Sequence, residues 1–493
     1  MTDSHELEMH LKTNFCKTKI ICTLGPACDD ENILKELIRA GLDGARFNFS
    51  HGTYEEHKAR LDRFRKVEAE LGVKIPCILD TKGPEIRLGN FKEPVELKEG
   101  QTYTFTINEV EGDINHCTVS HKGLVKDVQP GTKILIDDGL VETVVESVTE
   151  TDVICKVLNT GVIKSHKSIN IPGAKITLPA LTEKDVQDLK FGVENGYNFV
   201  AASFIRTKSD ILTIKQHLKE LGGEHIKIIA KIESQEGIDN FDEILKVTDG
   251  VMVARGDLGV EIPIERIPIE QKKMIRKCAR AGKVVITATQ MLDSMITNPR
   301  PTRAEVTDIA NAIIDGSGCI MLSGETAAGK HPVEAVRYMN TIAFETEKHL
   351  NLTELAFSLN DFRNKNVEDE NVYREVITYS VAVTANLLKA AAIICITKEG
   401  RKPRALSKFR AKAPIFAITD NENLARELAL EWNVQPVYVK KYSNSRDLTQ
   451  KGIKKLKELG FLFEGDTVVL SGKAEKNSNE KFANIVGGVM KII

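Results

Sequence analysis

Two short stretches carry the residues best suited to chemistry, Lys231-Ile232-Glu233 and Ala254-Arg255-Gly256-Asp257. They place one ammonium and two carboxylates at the ends of successive apolar runs, Ile226 to Ile232 and Gly250 to Ala254. Both runs are short, β-branched and bounded by turn or helix signals, the pattern of buried strands. Strand side chains alternate with period two, so Lys231 and Glu233 project the same way. Paired strands lie about 4.8 Å apart, close enough for Glu233 and Asp257 to share one Mg²⁺ at oxygen distances of about 2.1 Å. An ammonium beside such a cation makes a site for a phosphate. The same residues also read as an ion pair closing a strand end.

Other apolar runs end in polar residues too. One delivers Arg46, Asn48, Ser50 and His51, and the next delivers Asp80, Thr81 and Lys82. Period two puts Arg46, Asn48 and Ser50 on one face. Asn48, Ser50, Asp80 and Thr81 together offer two hydroxyls, an amide and a single carboxylate, an all-oxygen set that suits K⁺ better than Mg²⁺. Capping of the following turn by Asn48 and Ser50 explains the same residue types. Arg46 near Lys231 would set two cations around a divalent metal, the apparatus of phosphoryl transfer, where charge neutralisation dominates. Thr289, in Thr287-Ala288-Thr289-Gln290, either relays a proton at the same mouth or caps the next helix, and spacing does not choose between the two. The segment Ser323 to His331 has the glycine spacing and lysine of a Walker A loop, but His331 stands where a metal-ligating hydroxyl belongs. It reads instead as a loop contacting anions through backbone amides.

The elements that must position these groups are regular. Eight apolar runs end near Leu24, Phe49, Leu79, Phe204, Ile232, Ala254, Ala288 and Leu322, and an amphipathic stretch follows each. Such alternation predicts parallel strands joined by crossover helices, here an α/β (β/α)₈ barrel whose strand C-termini carry the chemistry. Arg60 to Gly72 and Glu265 to Gly282 read as two of the helices, each ending at a glycine able to turn left-handed. After the third strand, residues 85–179 change to alternating segments, Thr102 to Asn108, Lys133 to Ile136 and Leu140 to Val148, with turns at Pro130-Gly131 and Asp138-Gly139. This predicts an inserted small β-barrel domain acting as a lid over the mouth. The barrel then spans 1–84 and 180–350. Residues 351–493 alternate helix and strand again, with Val381 to Ala390 followed by runs ending near Ile396, Ile418, Val439 and Leu470, and read as a separate C-terminal open α/β domain.

Composition narrows the class. The 493 residues are 28% charged and 42% hydrophobic, ordinary for a multidomain globular protein. Lysine and arginine number 68 against 70 acidic residues, a net charge of −2, so no overall field draws nucleic acid or an anionic membrane. Nine cysteines are scattered without a Cys-x-x-Cys pair, which argues against a disulfide framework or a zinc site and for a reducing, cytoplasmic setting. Met1 to Lys12 lacks the basic and apolar regions of a secretory signal, and no run approaches about 18 apolar residues. Export and membrane insertion are not expected.

In their order and spacing, TKIICTLGPA, GARFNFSHG, LDTKGPEIR, IKIIAKIESQEGI, VMVARGDLGVEIP, TATQMLDSM, RAEVTDIANAIIDG and MLSGETAAGKHP closely resemble the pyruvate kinase family. The resemblance covers nearly the whole chain. It implies transfer of the phosphoryl group of phosphoenolpyruvate to ADP, giving ATP and pyruvate, the last step of glycolysis. Lys231 would then stabilise the transferring group, Arg46 and Lys82 would bind it, and Glu233 with Asp257 would hold Mg²⁺ (or Mn²⁺). Backbone amides at Gly256 and Asp257 would take the substrate carboxylate, and Thr289 would help deliver a proton to the enolate carbon. Asn48, Ser50, Asp80 and Thr81 would ligate K⁺, and Asn48, His51, Arg87 and Lys167 lie on the nucleotide side. Glu85 matches the K⁺-dependent members. A homotetramer, cytoplasmic, is implied as well.

The chain departs from the family mainly near its C-terminal end. Where activated relatives carry a Thr-Lys-Ser-Gly-Arg loop for a sugar phosphate, it has Thr397-Lys398-Glu399-Gly400-Arg401. The Glu399 carboxylate would repel a phosphate there. Thr397, Lys398 and Arg401, with Lys402, Arg404 and Lys473 nearby, are then either the remains of a small-molecule phosphate effector site or a solvated basic face. Asp293 replaces a common glutamate, and Ala328 and His331 replace a lysine and a tyrosine, away from the expected chemistry. Two other functions share parts of the pattern. A Mg²⁺-enolate 2-oxo acid aldolase would need neither the K⁺ cluster nor the lid, and a non-catalytic effector-binding homologue would not keep Lys231 and Thr289.

Overall fold

The computed structural model describes residues 16–350, 370–471 and 488–492. The eight apolar runs form β1 (Lys19–Thr23), β2 (Leu42–Asn48), β3 (Cys77–Asp80), β4 (Phe199–Ala202), β5 (Lys227–Ile232), β6 (Gly250–Ala254), β7 (Val284–Ala288) and β8 (Cys319–Leu322). Each pairs in parallel with the next, and β8 returns to β1 to close the barrel. The period-two rule divides the apolar residues into two layers. Ile21, Ile78, Ile229, Met252 and Ile286 fill the barrel interior, while Ile20, Cys22, Val251 and Val285 pack outward among the helices. Burial on both faces is why these runs are continuously apolar.

Four barrel helices matter below: α1 (Tyr54–Leu71), α2 (Arg255–Glu261), α3 (Ile267–Ala281) and α4 (Arg303–Asp315). The first begins earlier than the expected Arg60. A capping box starts it, with the Thr53 hydroxyl accepting from Glu56 N at 3.3 Å and the Glu56 carboxylate from Thr53 N at 2.9 Å. Its expected end holds, because Gly72 (φ 68°) and, after α3, Gly282 (φ 66°) take the left-handed conformation that closes a helix.

Between β3 and β4 lies a seven-stranded sheet, ordered Ile86–Arg87, Ser168–Asn170, Lys133–Ile136, Val141–Val148, Asp152–Val157, Thr102–Thr106 and His116–Thr118. Its two edges meet. Leu88 bridges Val119, Gly89 N donates to Thr118 O at 2.8 Å and Ser120 N to Arg87 O at 2.9 Å, so the sheet rolls into a small barrel. Tyr103, Phe105, Ile134 and Val153 fill it. Two contacts tether it over the large barrel. Asn170 Nδ2 donates to Glu261 Oε1 at 2.9 Å, and the Arg206 guanidinium reaches Ile176 O and Leu178 O at 2.8 and 2.7 Å.

The C-terminal region builds an open sheet from β9 (Ala392–Ile396), β10 (Ile415–Thr419), β11 (Val434–Tyr438), β12 (Thr467–Ser471) and β13 (Gly488–Lys491), in the order β11-β10-β9-β12-β13. The first four are parallel. The last is antiparallel and lies beyond the runs read from the sequence, a four-residue strand with only Val489 and Met490 apolar. This region docks on the barrel floor. Leu430 joins the interior cluster, and the Cys319 thiol donates to Leu430 O at 3.3 Å. Among the described residues, no helix is long and apolar enough to cross a membrane.

Candidate active site

The barrel brings together Arg46 from β2, Asp80 from β3 and Lys231 from β5. Asp80 is buried between the two cations: Arg46 Nε donates to Oδ2 at 2.6 Å and Lys231 Nζ to Oδ1 at 3.1 Å. Arg46 also donates to Thr23 Oγ1 at 2.9 Å, and Lys231 to Ser203 Oγ at 2.7 Å. Neither Thr23 nor Ser203 was singled out from the sequence. The signal available was position alone, since each stands at or just past the end of a barrel strand.

Charge explains the protonation of the trio. Burial works to raise the Asp80 pKa, but Arg46 and Lys231 hold the carboxyl below its ordinary value. Burial likewise works to lower that of Lys231, and Asp80 and Glu233 more than reverse it, so the lysine keeps its proton. A cation fixed in this way at the mouth is suited to an anionic group in transfer.

Glu233, just beyond β5, reaches the same cluster. Its Oε2 accepts from Phe204 N at 2.5 Å. Its Oε1 lies 3.1 Å from Lys231 Nζ, yet without hydrogen-bond alignment, and is a buried oxygen without a hydrogen-bond partner. Burial pushes the Glu233 carboxyl up to about 8, with Asp257 adding to the rise against the pull of Lys231. An orphaned buried carboxylate oxygen within the electrostatic reach of a second carboxylate, Asp257, is the donor chemistry of a hard divalent cation. Among the described residues no group of three or more His, Cys, Asp or Glu converges. Two carboxylates with the rest of the shell supplied by water and substrate is the usual pattern for Mg²⁺, so the residues fit that ion.

Asn48 and Asp80 are register partners on β2 and β3, which places amide and carboxylate side by side. Here the period-two expectation needs a correction. The strand ends at Asn48, and the exposed Ser50 lies in the turn beyond, where its N–H donates to Asn48 Oδ1 at 3.1 Å. The capping geometry is therefore present. Thr81 is buried, and its hydroxyl accepts from Ser203 N at 3.2 Å.

Thr289 follows β7, and its backbone is unusual. It has φ 73° and Gln290 φ 55°, left-handed values that cost a β-branched residue in the order of 1–3 kcal/mol. Its methyl group occupies the space over Gly256, where an added Cβ would lie 2.9 Å from Thr289 Cγ2. Only glycine fits there. Strain held at such a point marks a working position.

A cavity of about 470 Å³ opens between lid and barrel, lined by Arg87, Lys167, Phe204, Arg206, Asp257 and Glu261 among others. Arg87 donates to Glu85 Oε2 at 2.7 Å and to His166 O at 2.7 Å, and Lys167 pairs with Asp137 at 2.6 Å. Lys82, nearer the barrel, lies 3.8 Å from Glu85. His51 is exposed and does not line this cavity, nor does Asn48.

The loop near β9 holds its charges otherwise. Thr397 Oγ1 accepts from Gly400 N at 2.8 Å, Arg401 pairs with Glu399 at 3.0 Å, and Arg404 pairs with Glu427 and Glu431 at 2.9 and 3.2 Å. Lys473 and the expected boundary at 351 lie outside the described residues.

Comparison with known proteins agrees with this architecture. The family profile "Pyruvate kinase, barrel domain" matches residues 15–336, and "Pyruvate kinase, alpha/beta domain" matches residues 375–486. A pyruvate kinase of Clostridium acetobutylicum is 48% identical over 463 residues, covering 94% of this chain and 97% of the relative. One from Clostridium perfringens is 47% identical over 457 residues, covering 92% and 96%. One from Staphylococcus epidermidis is 48% identical over 458 residues, covering 92% of this chain and 77% of the longer relative. With both parts of the chain matched and the closed barrel carrying Lys231, Glu233 and Asp257 at its mouth, the chain belongs to the pyruvate kinase family.

Proposed function

We propose that this protein transfers the phosphoryl group of phosphoenolpyruvate to ADP, giving ATP and pyruvate. The observation that carries the reading is Lys231, fully charged and pinned between Asp80, Ser203 and Glu233 at the mouth of the barrel. Lys231, with Arg46 and Lys82, neutralises the phosphoryl oxygens as the group passes from the enolate oxygen to the nucleotide and negative charge develops on the departing enolate oxygen. Backbone amides at Gly256 and Asp257 hold the substrate carboxylate. Thr289 passes a proton from its hydroxyl to the methylene carbon of the enolate and recovers one from solvent.

Mg²⁺ (or Mn²⁺) would be held by Glu233 and Asp257, and K⁺ by Asn48, Ser50, Asp80 and Thr81. Bound there, these cations supply positive charge that neutralises phosphate and enolate oxygens. On the nucleotide side, Arg87 and Lys167 bind through the lid cavity, with Asn48 and His51 at the barrel rim. The lid, residues 85–179, excludes water when closed over the barrel of residues 1–84 and 180–350.

The decisive experiment is pyruvate formation from phosphoenolpyruvate and ADP with Mg²⁺, with and without K⁺, on the wild type beside Lys231→Met. Activity that needs K⁺ and falls by at least about 10²–10³-fold in the variant supports the reading. A folded wild type without activity overturns it, and a rate unchanged when a bulky organic cation replaces K⁺ overturns the K⁺ assignment. A cytoplasmic homotetramer belongs to the same proposal, checked by light scattering and fractionation. A phosphate effector at Thr397, Lys398 and Arg401 meets the Glu399–Arg401 pair, so fructose bisphosphate should bind there weakly; titration with sugar phosphates and nucleotides decides it.

A further inference from the structure

Arg255 stands between the end of β6 and Asp257, and its side chain reaches across to β7 and α4. Its side chain is 14% exposed, and the guanidinium is held by the end of β7, the segment beyond it and α4. Nε donates to Ala288 O at 3.0 Å, and Nη2 donates to Thr289 O at 2.6 Å and lies 2.9 Å from Met291 Sδ. Nη1 pairs with both Asp308 oxygens, at 2.8 and 2.7 Å, from α4. The planar fork spans two consecutive carbonyls, which a lysine ammonium cannot do. These carbonyls flank Thr289, the first of the left-handed pair Thr289 and Gln290, whose conformation persists only where surrounding contacts impose it. The adjacent Gly256 leaves room for the Thr289 methyl group.

We infer that Arg255, oriented by Asp308, is a positioning residue for the proton step: it locks the Thr289 backbone so that the hydroxyl stays aimed at the enolate carbon. One helix start thereby ties Asp257 and Thr289 into a single rigid unit. In the step concerned, the new C–H bond forms as the Thr289 O–H bond breaks, and water reprotonates the hydroxyl. The inference rests on the role proposed above for Thr289.

The test separates proton transfer from phosphoryl transfer by following deuterium exchange from solvent into the methyl group of pyruvate with Mg²⁺ and ATP. Arg255→Lys, Asp308→Asn, Thr289→Ala and the double variant Arg255→Lys/Thr289→Ala are compared with the wild type. Arg255→Lys is expected to slow exchange about 10- to 100-fold, the cost of a misplaced group, while the KM for phosphoenolpyruvate changes less than about threefold. Asp308→Asn should slow exchange in the same direction, and carries the test if Arg255→Lys does not fold. The double variant should be no slower than Thr289→Ala, because both changes disable one group. Deuterium uptake by the backbone of residues 288–292 should rise in Arg255→Lys independently of turnover. Slow exchange in Thr289→Ala with normal exchange in the folded Arg255 and Asp308 variants overturns the inference alone, as do multiplicative effects in the double variant. Normal exchange in Thr289→Ala overturns the role of Thr289 and this inference with it.

Discussion

Lys231 and Asp80 meet at 3.1 Å, from strands separated in the barrel by β4, with Arg46 on the other oxygen of the same carboxylate. The pair is the electrostatic hinge of the site, because Asp80 is the one carboxylate that both cations share, while Glu233 lies 3.1 Å from Lys231 alone. Asp80→Asn leaves buried Arg46 facing a neutral amide and Lys231 with Glu233 as its remaining carboxylate. We expect a loss of about 3–5 kcal/mol of stability in urea unfolding, together with a fall in kcat. A variant as stable as the wild type would show that solvent already screens the trio.

The proposed role of Glu233 as a metal ligand predicts binding that depends on pH. Its carboxyl is pushed up to about 8, and a divalent cation needs the ionised form. Below that pH, binding must expel the proton; above it, the site is ready. The affinity for Mn²⁺ should therefore fall about tenfold per pH unit below 8 and level off above it. Calorimetric titration in buffers of different ionisation enthalpy at pH 6.5 and pH 9 should detect proton release only at the lower pH.

Leu430 reaches from the C-terminal region into the barrel floor, where an added Cβ on Gly44 would lie 2.9 Å from its Cδ2. Leu430→Ala should cost about 2–5 kcal/mol by opening a cavity, and Gly44→Ala about 1–3 kcal/mol by overpacking. In the double variant the new methyl group enters the space vacated. Denaturation midpoints should show a combined loss smaller than the sum; additive losses would mean that the two residues do not share that space.

All nine cysteines are buried and free. Burial raises the thiol pKa of Cys28 and Cys77 to about 11, and those of Cys117, Cys155 and Cys395 to about 12. Such thiols are poor nucleophiles. A chromogenic disulfide reagent should titrate none of them within minutes in the native protein and all nine in guanidinium. Rapid native labelling would reveal local opening.

Much of the site was legible because chemistry here follows strand ends. Eight apolar runs could be counted, and a closed parallel barrel aims every strand terminus at one mouth, so Lys231, Glu233 and Asp257 could be grouped from the sequence, while the Lys231–Asp80 contact could not. The inserted domain was legible from the change to alternating residues. Less visible were features that depend on where a strand stops. Ser50 was placed on a strand face by period two, but β2 ends at Asn48 and the serine lies in a turn. The edge strand β13 carries no apolar run to announce it.

The sequence by itself determined the periodicities, and with them the barrel, its insertion, the open C-terminal sheet and the residue types at each strand end, because burial on one or both faces is written in local patterns. Tertiary structure alone decided which groups pair across strands. Ser203 and Thr23 complete the Lys231 and Arg46 shells, Arg255 grips the strained Thr289 segment, and Leu430 enters the barrel from a region more than a hundred residues after Cys319. A hydrogen bond acts only over about 3 Å, and no local pattern records which distant residue closure of the chain brings within that reach.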